Sequence, residues 1–255
     1  MIRLTVDGVT HRYGALEVLQ DITLTAAAGE VTVLAGPSGC GKSTLLGIMG
    51  GMLVPSRGTV RTDGEVPADC LNPLTYVFQD FSLLPWRSVA GNVALVLEDR
   101  LSRRDSEARI AETLALTGLT DFAKAWPRQL SGGMRQRVGI ARALAVRPAC
   151  LLMDEPLSAL DAQTRELLLD EFASLISRGG TTTIYVTHNL TEAVRLGHQI
   201  IVLSRRPGVI RDSIRIDRPL AERDPSDPDL IALEQRLWHM IRHDAAEAER
   251  EAAGA

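Results

Sequence analysis

Residues Glu30 to Gly50 read EVTVLAGPSGCGKSTLLGIMG, and the architecture turns on this stretch. Val31 to Ala35 is an apolar run of strand length, and Leu45, Leu46, Ile48 and Met49 recur at helical spacing further on. Between them the turn reads G-x-x-x-x-G-K-S from Gly36 to Ser43, the pattern of a phosphate-cradling loop. Phosphate oxygens need several donors converging on one point, and Gly36, Gly39 and Gly41 let the backbone curl with its N–H groups inward. The helix starting near Lys42 aims its unpaired N–H groups and positive dipole end at the same anion. Lys42 adds a mobile charge for the outer phosphates, and the Ser43 hydroxyl is placed to take one position on a magnesium ion bridging them. The expected ligand is a magnesium nucleotide. Of 28 basic residues only Lys42 and Lys124 are lysine, so a chain that otherwise uses arginine keeps a compact ammonium in the phosphate loop.

Working outward, 255 residues at 45% hydrophobic and 24% charged suffice for one large α/β domain or two small ones. A net charge of −4 argues against a broad nucleic-acid footprint, and no nucleic-acid partner is expected. No apolar run approaches the roughly 20 residues that span a bilayer, and MIRLTVDGVTHRYG lacks the layout of a signal peptide. A cytoplasmic location is therefore expected. Cys40, Cys70 and Cys150 form neither a metal-ligand pattern nor a disulfide framework. Cys40 reads as a small filler whose alkylation would block nucleotide entry.

Upstream, Ile2, Leu4 and Val6 alternate and Val18 to Leu24 forms a second strand, together an antiparallel flap beside the core. Tyr13 within it either stacks on an adenine ring or packs on its own sheet. Downstream, Gly58 to Arg61 reads as a short strand with a turn at Asp63-Gly64, and Leu74 to Phe78 as a strand ending at Gln79. Gln79 is a magnesium or water ligand, or an ordinary turn residue. Phe81, Leu83, Leu84, Pro85 and Trp86 are unusually apolar for a loop and are either core or partner-facing. Asp105 to Thr117 has helical spacing within a helical insertion. In LSGGMRQRVGIARALAV, Leu130 to Val146, Ser131 is placed to cap a helix with Met134, Val138, Ala141 and Ala145 as one apolar stripe. Taken alone this second glycine-flanked helix start reads as a capped amphipathic helix and no more; otherwise it would bind a second anion, or the same anion from another direction.

The strand Ala149 to Met153 ends in Asp154 and Glu155. A buried strand end positions Asp154 to hold magnesium, and Glu155 to orient or deprotonate an attacking water. SALD, Ser158 to Asp161, opens a helix over Ala162 to Ser177 with Leu167, Leu168, Phe172 and Leu175 inward. Thr181 to Val186 is a strand ending at Thr187-His188, where His188 could sense a γ-phosphate. Pro219 to Pro228 reads as a polar linker. Leu230, Leu233, Leu237, Met240 and Ile241 make a helical stripe, and the Ala- and Glu-rich last dozen residues are expected to fray.

GPSGCGKST, Gln79, LSGGMRQR, LLMDEP, SALD and His188 together resemble the ATP-binding subunit of an ABC transporter over nearly the whole chain. The resemblance implies an α/β fold: a P-loop NTPase core with a mostly parallel sheet, an N-terminal antiparallel β-subdomain, and a helical signature subdomain over about 88–145. On this reading 2–225 is the ATPase domain and 226–255 a C-terminal helix and frayed tail. It further implies an ATPase that sandwiches two ATP molecules between two head-to-tail copies. Gly36, Pro37, Ser38, Gly39, Cys40, Gly41, Lys42, Ser43, Thr44 and Gln79 would then bind nucleotide, with Tyr13 on the adenine. Ser43, Gln79 and Asp154 would contact magnesium, Glu155 would be the base and His188 the γ-phosphate switch. Ser131, Gly132 and Gly133 would meet the ATP held by the partner subunit's Lys42, with Gln136 and Asp161 in the same cross-dimer set. Asn189 stands where the family most often has Asp, which leaves the hydrogen bonding there open.

FQDFSLLPWRSVAGNVAL and VTHNLTEAVRLGHQIIVLSRRPGVI are similar to the importer subgroup for nitrate, aliphatic sulfonates and taurine. That implies two membrane-spanning permease subunits as partners, a solute-binding protein reached indirectly, and a place on the cytoplasmic face of the membrane. An exporter accessory ATPase and a non-transport ABC ATPase are the alternatives.

Overall fold

The computed structural model describes residues 1–79, 82–158 and 160–253, and the side chains of 175, 177–179 and 243–253 lie outside the description. Its spine is a six-stranded sheet in the order β5-β6-β7-β3-β8-β9. The strands are β3 (Val31–Ala35), β5 (Leu74–Val77), β6 (Cys150–Asp154), β7 (Thr182–Val186), β8 (Gln199–Leu203) and β9 (Ile210–Arg215). The first five run parallel and β9 returns antiparallel on β8. Both β3 and β7 are buried along their whole length, which is why they read as unbroken apolar and threonine runs.

A second, antiparallel sheet, β2-β1-β4, covers one face. Its strands are β1 (Ile2–Tyr13), β2 (Leu16–Ala26) and β4 (Arg57–Gly64). Leu4, Val6 and Val9 of β1 are fully buried against Leu34, Leu45 and Leu46, giving the alternation expected of a half-solvated sheet. Asp63-Gly64 makes no turn: Ile2 pairs with Gly64 and Arg3 with Asp63, so the strand continues. The flap supplies partners that the dipeptide pattern alone does not show.

The helix α1 (Lys42–Met49) lies between the two sheets. On the opposite face α5 (Ala162–Gly179), α6 (Leu190–Leu196) and α7 (Pro228–Ala253) pack over Leu151, Met153, Tyr185 and Ile200. The expected stripe of α5 shifts: Leu168, Phe172 and Ile176 are buried while Leu167 is 64% exposed. Leu168, Phe172 and Ile176 share a face at four-residue spacing, and Leu167 sits about 100° round from it. Leu175 lies outside the described side chains. The remaining helices, α2 (Val89–Ala94), α3 (Arg103–Leu116) and α4 (Gly132–Ala145), enclose a separate cluster that includes Val93, Leu114, Val138 and Ala141.

Residues 219–228 are no free linker. Leu220 is buried, and the Arg223 guanidinium donates to the carbonyls of Val194, Arg195 and Gly197 at the end of α6 and to those of Ile216 and Arg218. Burial, and then the charge of Arg218, lowers its pKa to about 10. Leu230 and Leu237 of α7 are buried, and its helix runs through the stretch whose composition suggests fraying, to Ala253.

Candidate functional site

Because β3, β6 and β7 are parallel neighbours, the residues just past their carboxyl ends converge on one edge of the sheet, where ligands of open α/β sheets collect. Beyond β3 the chain curls through Gly39 at φ 74° and Gly41 at φ 103°, both left-handed. A Cβ on Gly41 would stand 2.7 Å from Leu19 Cδ2, so the loop is pressed onto β2 as well as curled. No side chain caps the start of α1 and its first turn holds no acid, which leaves its N–H groups for an external anion. The Lys42 ammonium is buried and donates to the carbonyls of Gly36 at 2.9 Å and Pro37 at 3.0 Å. Ser38 and Gly39 form the exposed tip, whereas Pro37 is buried. Cys40 is fully buried, so its thiol is shielded from alkylating reagents rather than exposed at the nucleotide entrance.

The Ser43 hydroxyl donates to Asp154 Oδ1 at 3.0 Å, and Tyr76 places its hydroxyl 3.4 Å from Oδ2. Burial raises the Asp154 pKa, the neighbouring Glu155 charge raises it further, and the Ser43 bond works against both. A hydroxyl and a desolvated carboxylate are an all-oxygen donor set that suits magnesium. Among the described residues no group of three or more His, Cys, Asp or Glu could hold a metal. Gln79 lies exposed past the end of β5. Tyr76 escapes a reading by motif, yet it pairs in register with Leu152, two residues short of Asp154.

Glu155 is held at φ 45°, a conformation that typically costs a non-glycine residue about 1–3 kcal/mol. Its N–H donates to the Val186 carbonyl, and its carboxylate Oε2 lies 2.9 Å from His188 Nδ1. The two strand ends thus hand an acid and an imidazole to each other. Asn189 caps α6 by accepting the Glu192 N–H at 3.2 Å, and its own N–H donates to Thr187 Oγ1 at 3.0 Å. Asn189 therefore keeps the capping role open to an Asp without a second carboxylate beside Glu192.

The Ser131 hydroxyl caps α4 by accepting the Met134 N–H at 3.2 Å. Ser131 is exposed and Gly132 half-buried, and a Cβ on Gly132 would meet nothing closer than 3.9 Å. Gly133 is different: a Cβ there would lie 2.6 Å from Thr164 of α5. Gln136 is also apart from that surface, 1% exposed, its amide unpaired, lining a cavity of about 210 Å³ with Tyr76, Phe78 and Arg142. Asp161 is exposed and caps α5 by accepting the Thr164 N–H at 3.0 Å, a bond that lowers its pKa. Tyr13 is half-exposed at the end of β1, edge-on to the His11 ring at 4.8 Å. Leu83 packs on the helical cluster, Trp86 is 68% exposed, and Phe81 lies outside the described residues.

A phosphate loop, strand-end acids and a capped glycine-flanked helix on one chain define a P-loop ATPase of the cassette type. The ABC transporter family model matches residues 19–158. The aliphatic sulfonates import ATP-binding protein SsuB 1 of Xanthomonas axonopodis pv. citri is 44% identical over 210 residues, 82% of this chain and 83% of its own. The taurine import ATP-binding protein TauB of Yersinia pestis bv. Antiqua is 40% identical over 237 residues, 90% and 93% of the two chains. Among solved structures, the dimeric structure of MJ0796, a bacterial ABC transporter cassette, superposes with a TM-score of 0.72 at 33% identity, covering 84% of this chain and 99% of that one. The chain belongs to the ABC transporter ATP-binding family and is an ATPase.

Proposed function

We propose that this chain powers an ABC importer for a small anionic or zwitterionic solute of the sulfonate, taurine or nitrate type, working as a head-to-tail dimer with two ATP molecules at the interface. The observation that carries the reading is the split of the machinery. Lys42, Ser43, Asp154, Glu155 and His188 gather on one edge of the sheet, while Ser131 and Gly132 present an open helix start with no acid in its first turn.

Magnesium fits Ser43 and Asp154, with Gln79 as a further contact, and would neutralise charge on the phosphates. Lys42 exchanges the Gly36 and Pro37 carbonyls for phosphate oxygens, which is a gain because a charge-assisted bond to an anion is stronger than one to a carbonyl. Glu155 takes up the proton of the attacking water, and His188 holds the carboxylate and meets the γ-phosphate. Gly36 to Thr44 cradle the phosphates, Tyr13 stacks on the adenine, and Ser131, Gly132 and Asp161 complete the site of the partner copy. The exposed Trp86 and its neighbours face a permease subunit, which sets the chain peripherally on the cytoplasmic side of the membrane. A solute-binding protein acts through the permease.

The test is purification of the tagged chain from gently solubilised native membranes, with mass spectrometry of what accompanies it. A polytopic membrane protein together with a solute-binding protein, the latter responding to sulfonates, taurine or nitrate, is the expected result. Recovery only from the soluble fraction with ribosomal or DNA factors would remove the transport assignment and leave the ATPase.

A further inference from the structure

Sharing an edge with the catalytic acid is a carboxylate that no phosphate or magnesium role accounts for. Glu192, in the first turn of α6, is 2% exposed. Its Oε2 accepts from the Tyr185 hydroxyl at 2.9 Å and from Thr187 Oγ1 at 2.7 Å, and its Oε1 lies 3.6 Å from Arg165 Nε. Each of these partners leads elsewhere. Thr187 precedes His188 and accepts the Asn189 N–H, so one oxygen of Glu192 holds the segment that presents the imidazole to Glu155. Arg165, one turn into α5, donates to the carbonyls of Leu160 at 2.8 Å and Leu157 at 3.4 Å. Those carbonyls belong to the loop between Glu155 and Asp161. One buried carboxylate therefore spans the two segments that flank the catalytic acid.

We propose that Glu192 is a positioning residue that couples the His188 segment to the Leu157–Asp161 loop through Arg165, so that the two partner-facing elements move as a unit. The inference rests on the sandwich-dimer reading above. A fold seeking stability alone has little use for this arrangement, because desolvating a carboxylate and a guanidinium offsets their attraction and an apolar pair of similar volume does as well or better. The connections are specific: Tyr185 and Thr187 fix one oxygen on β7, and the other faces the only charge that also grips the loop after Glu155 among the described residues. When a partner copy engages Asp161, the loop and Arg165 shift together, and Glu192 passes the shift to Thr187 and so to the imidazole.

Glu192→Gln separates the two halves of this connection. The amide oxygen still accepts from Tyr185 and Thr187, whereas the attraction to Arg165 is gone. Glu192→Gln, Arg165→Gln and the double variant form a cycle in which ATPase kcat, KM, monomer affinity for a fluorescent ATP analogue and melting temperature are measured. The expected result is a kcat about tenfold lower in each single variant, no further loss in the double, and affinity and KM within about twofold of the parent. Losses that multiply in the double variant, a parental kcat in Glu192→Gln, or affinity and melting falling together with kcat would each overturn the proposal. ATP-driven dimerisation is read in parallel with Glu155→Gln alone as the control. If that control stays monomeric the sandwich reading fails, and the coupling falls with it; if the control dimerises and the cycle is additive, the coupling alone fails.

Discussion

The chain has two glycine-flanked helix starts, and they are built in opposite ways. The start of α1 is inward: pressed onto Leu19, filled by its own buried ammonium, and fully buried at Cys40. The start of α4 is outward, capped only by Ser131 and open around Gly132. The first carries its own buried ammonium beside uncapped N–H groups. The second has donors and a dipole end but neither lysine nor acid in its first turn, so on the proposed reading it serves an anion that another surface has already gathered. On that reading one copy holds ATP by itself and does not turn it over efficiently by itself.

Several substitutions break or sharpen this contrast. Glu155→Gln is expected to lower kcat by about 10² to 10⁴ while ATP still binds and holds the dimer together, as measured by steady-state hydrolysis and light scattering. Lys42→Met, which empties the inward site, should weaken monomer ATP affinity by about a hundredfold in a fluorescence titration, through the loss of a charged donor to phosphate. Gly132→Val should leave that affinity within about twofold and abolish ATP-driven dimerisation, because a side chain there blocks close approach while its Cβ makes only an ordinary contact with Leu160 at 3.9 Å. Gly133→Ala should do the reverse of a surface change, destabilising the fold by about 1–3 kcal/mol in urea unfolding through the contact with Thr164.

The smallest effect concerns pH. Burial raises the Glu192 pKa above its usual 4.5, so the folded chain favours the protonated form, and this stabilisation is complete below the unfolded value and lost as pH rises through the raised one. Gln does not titrate. The melting temperature of the parent relative to Glu192→Gln should therefore decline as pH rises from the usual carboxylate value through the raised one, and then level off. An unchanged difference across that range would show that burial does not act on this carboxylate.

The features legible in the sequence are the local ones. The curl from Gly36 to Ser43, the acids closing β6 and the serine heading α4 each follow from a few adjacent residues whose chemistry has one arrangement. The rest depends on partners distant along the chain. Tyr76 reaches Asp154 only because β5 and β6 pair in register, and Glu192 meets Arg165 only because α6 packs over α5. Arg223 looks like part of a polar tether until the end of α6 arrives with five waiting carbonyls counted together with those of Ile216 and Arg218. Gln136, grouped by motif with Ser131 and Gly132, lies only about 40° round the helix from Gly132 but one turn further along it, where it is 1% exposed and lines the cavity with Tyr76, Phe78 and Arg142. A motif records which residues travel together in a sequence, and a helix carries them to different depths along its axis.

The burial of Cys40 has a practical side. Cys150 is buried as well, its thiol pKa pushed up to about 12, and Cys70 alone among the three reaches partial exposure. The native chain thus carries a single addressable thiol, placed just before β5. A spin label or fluorophore attached there, one per copy, turns the distance between two subunits into a spectroscopic signal without altering a residue of the nucleotide site.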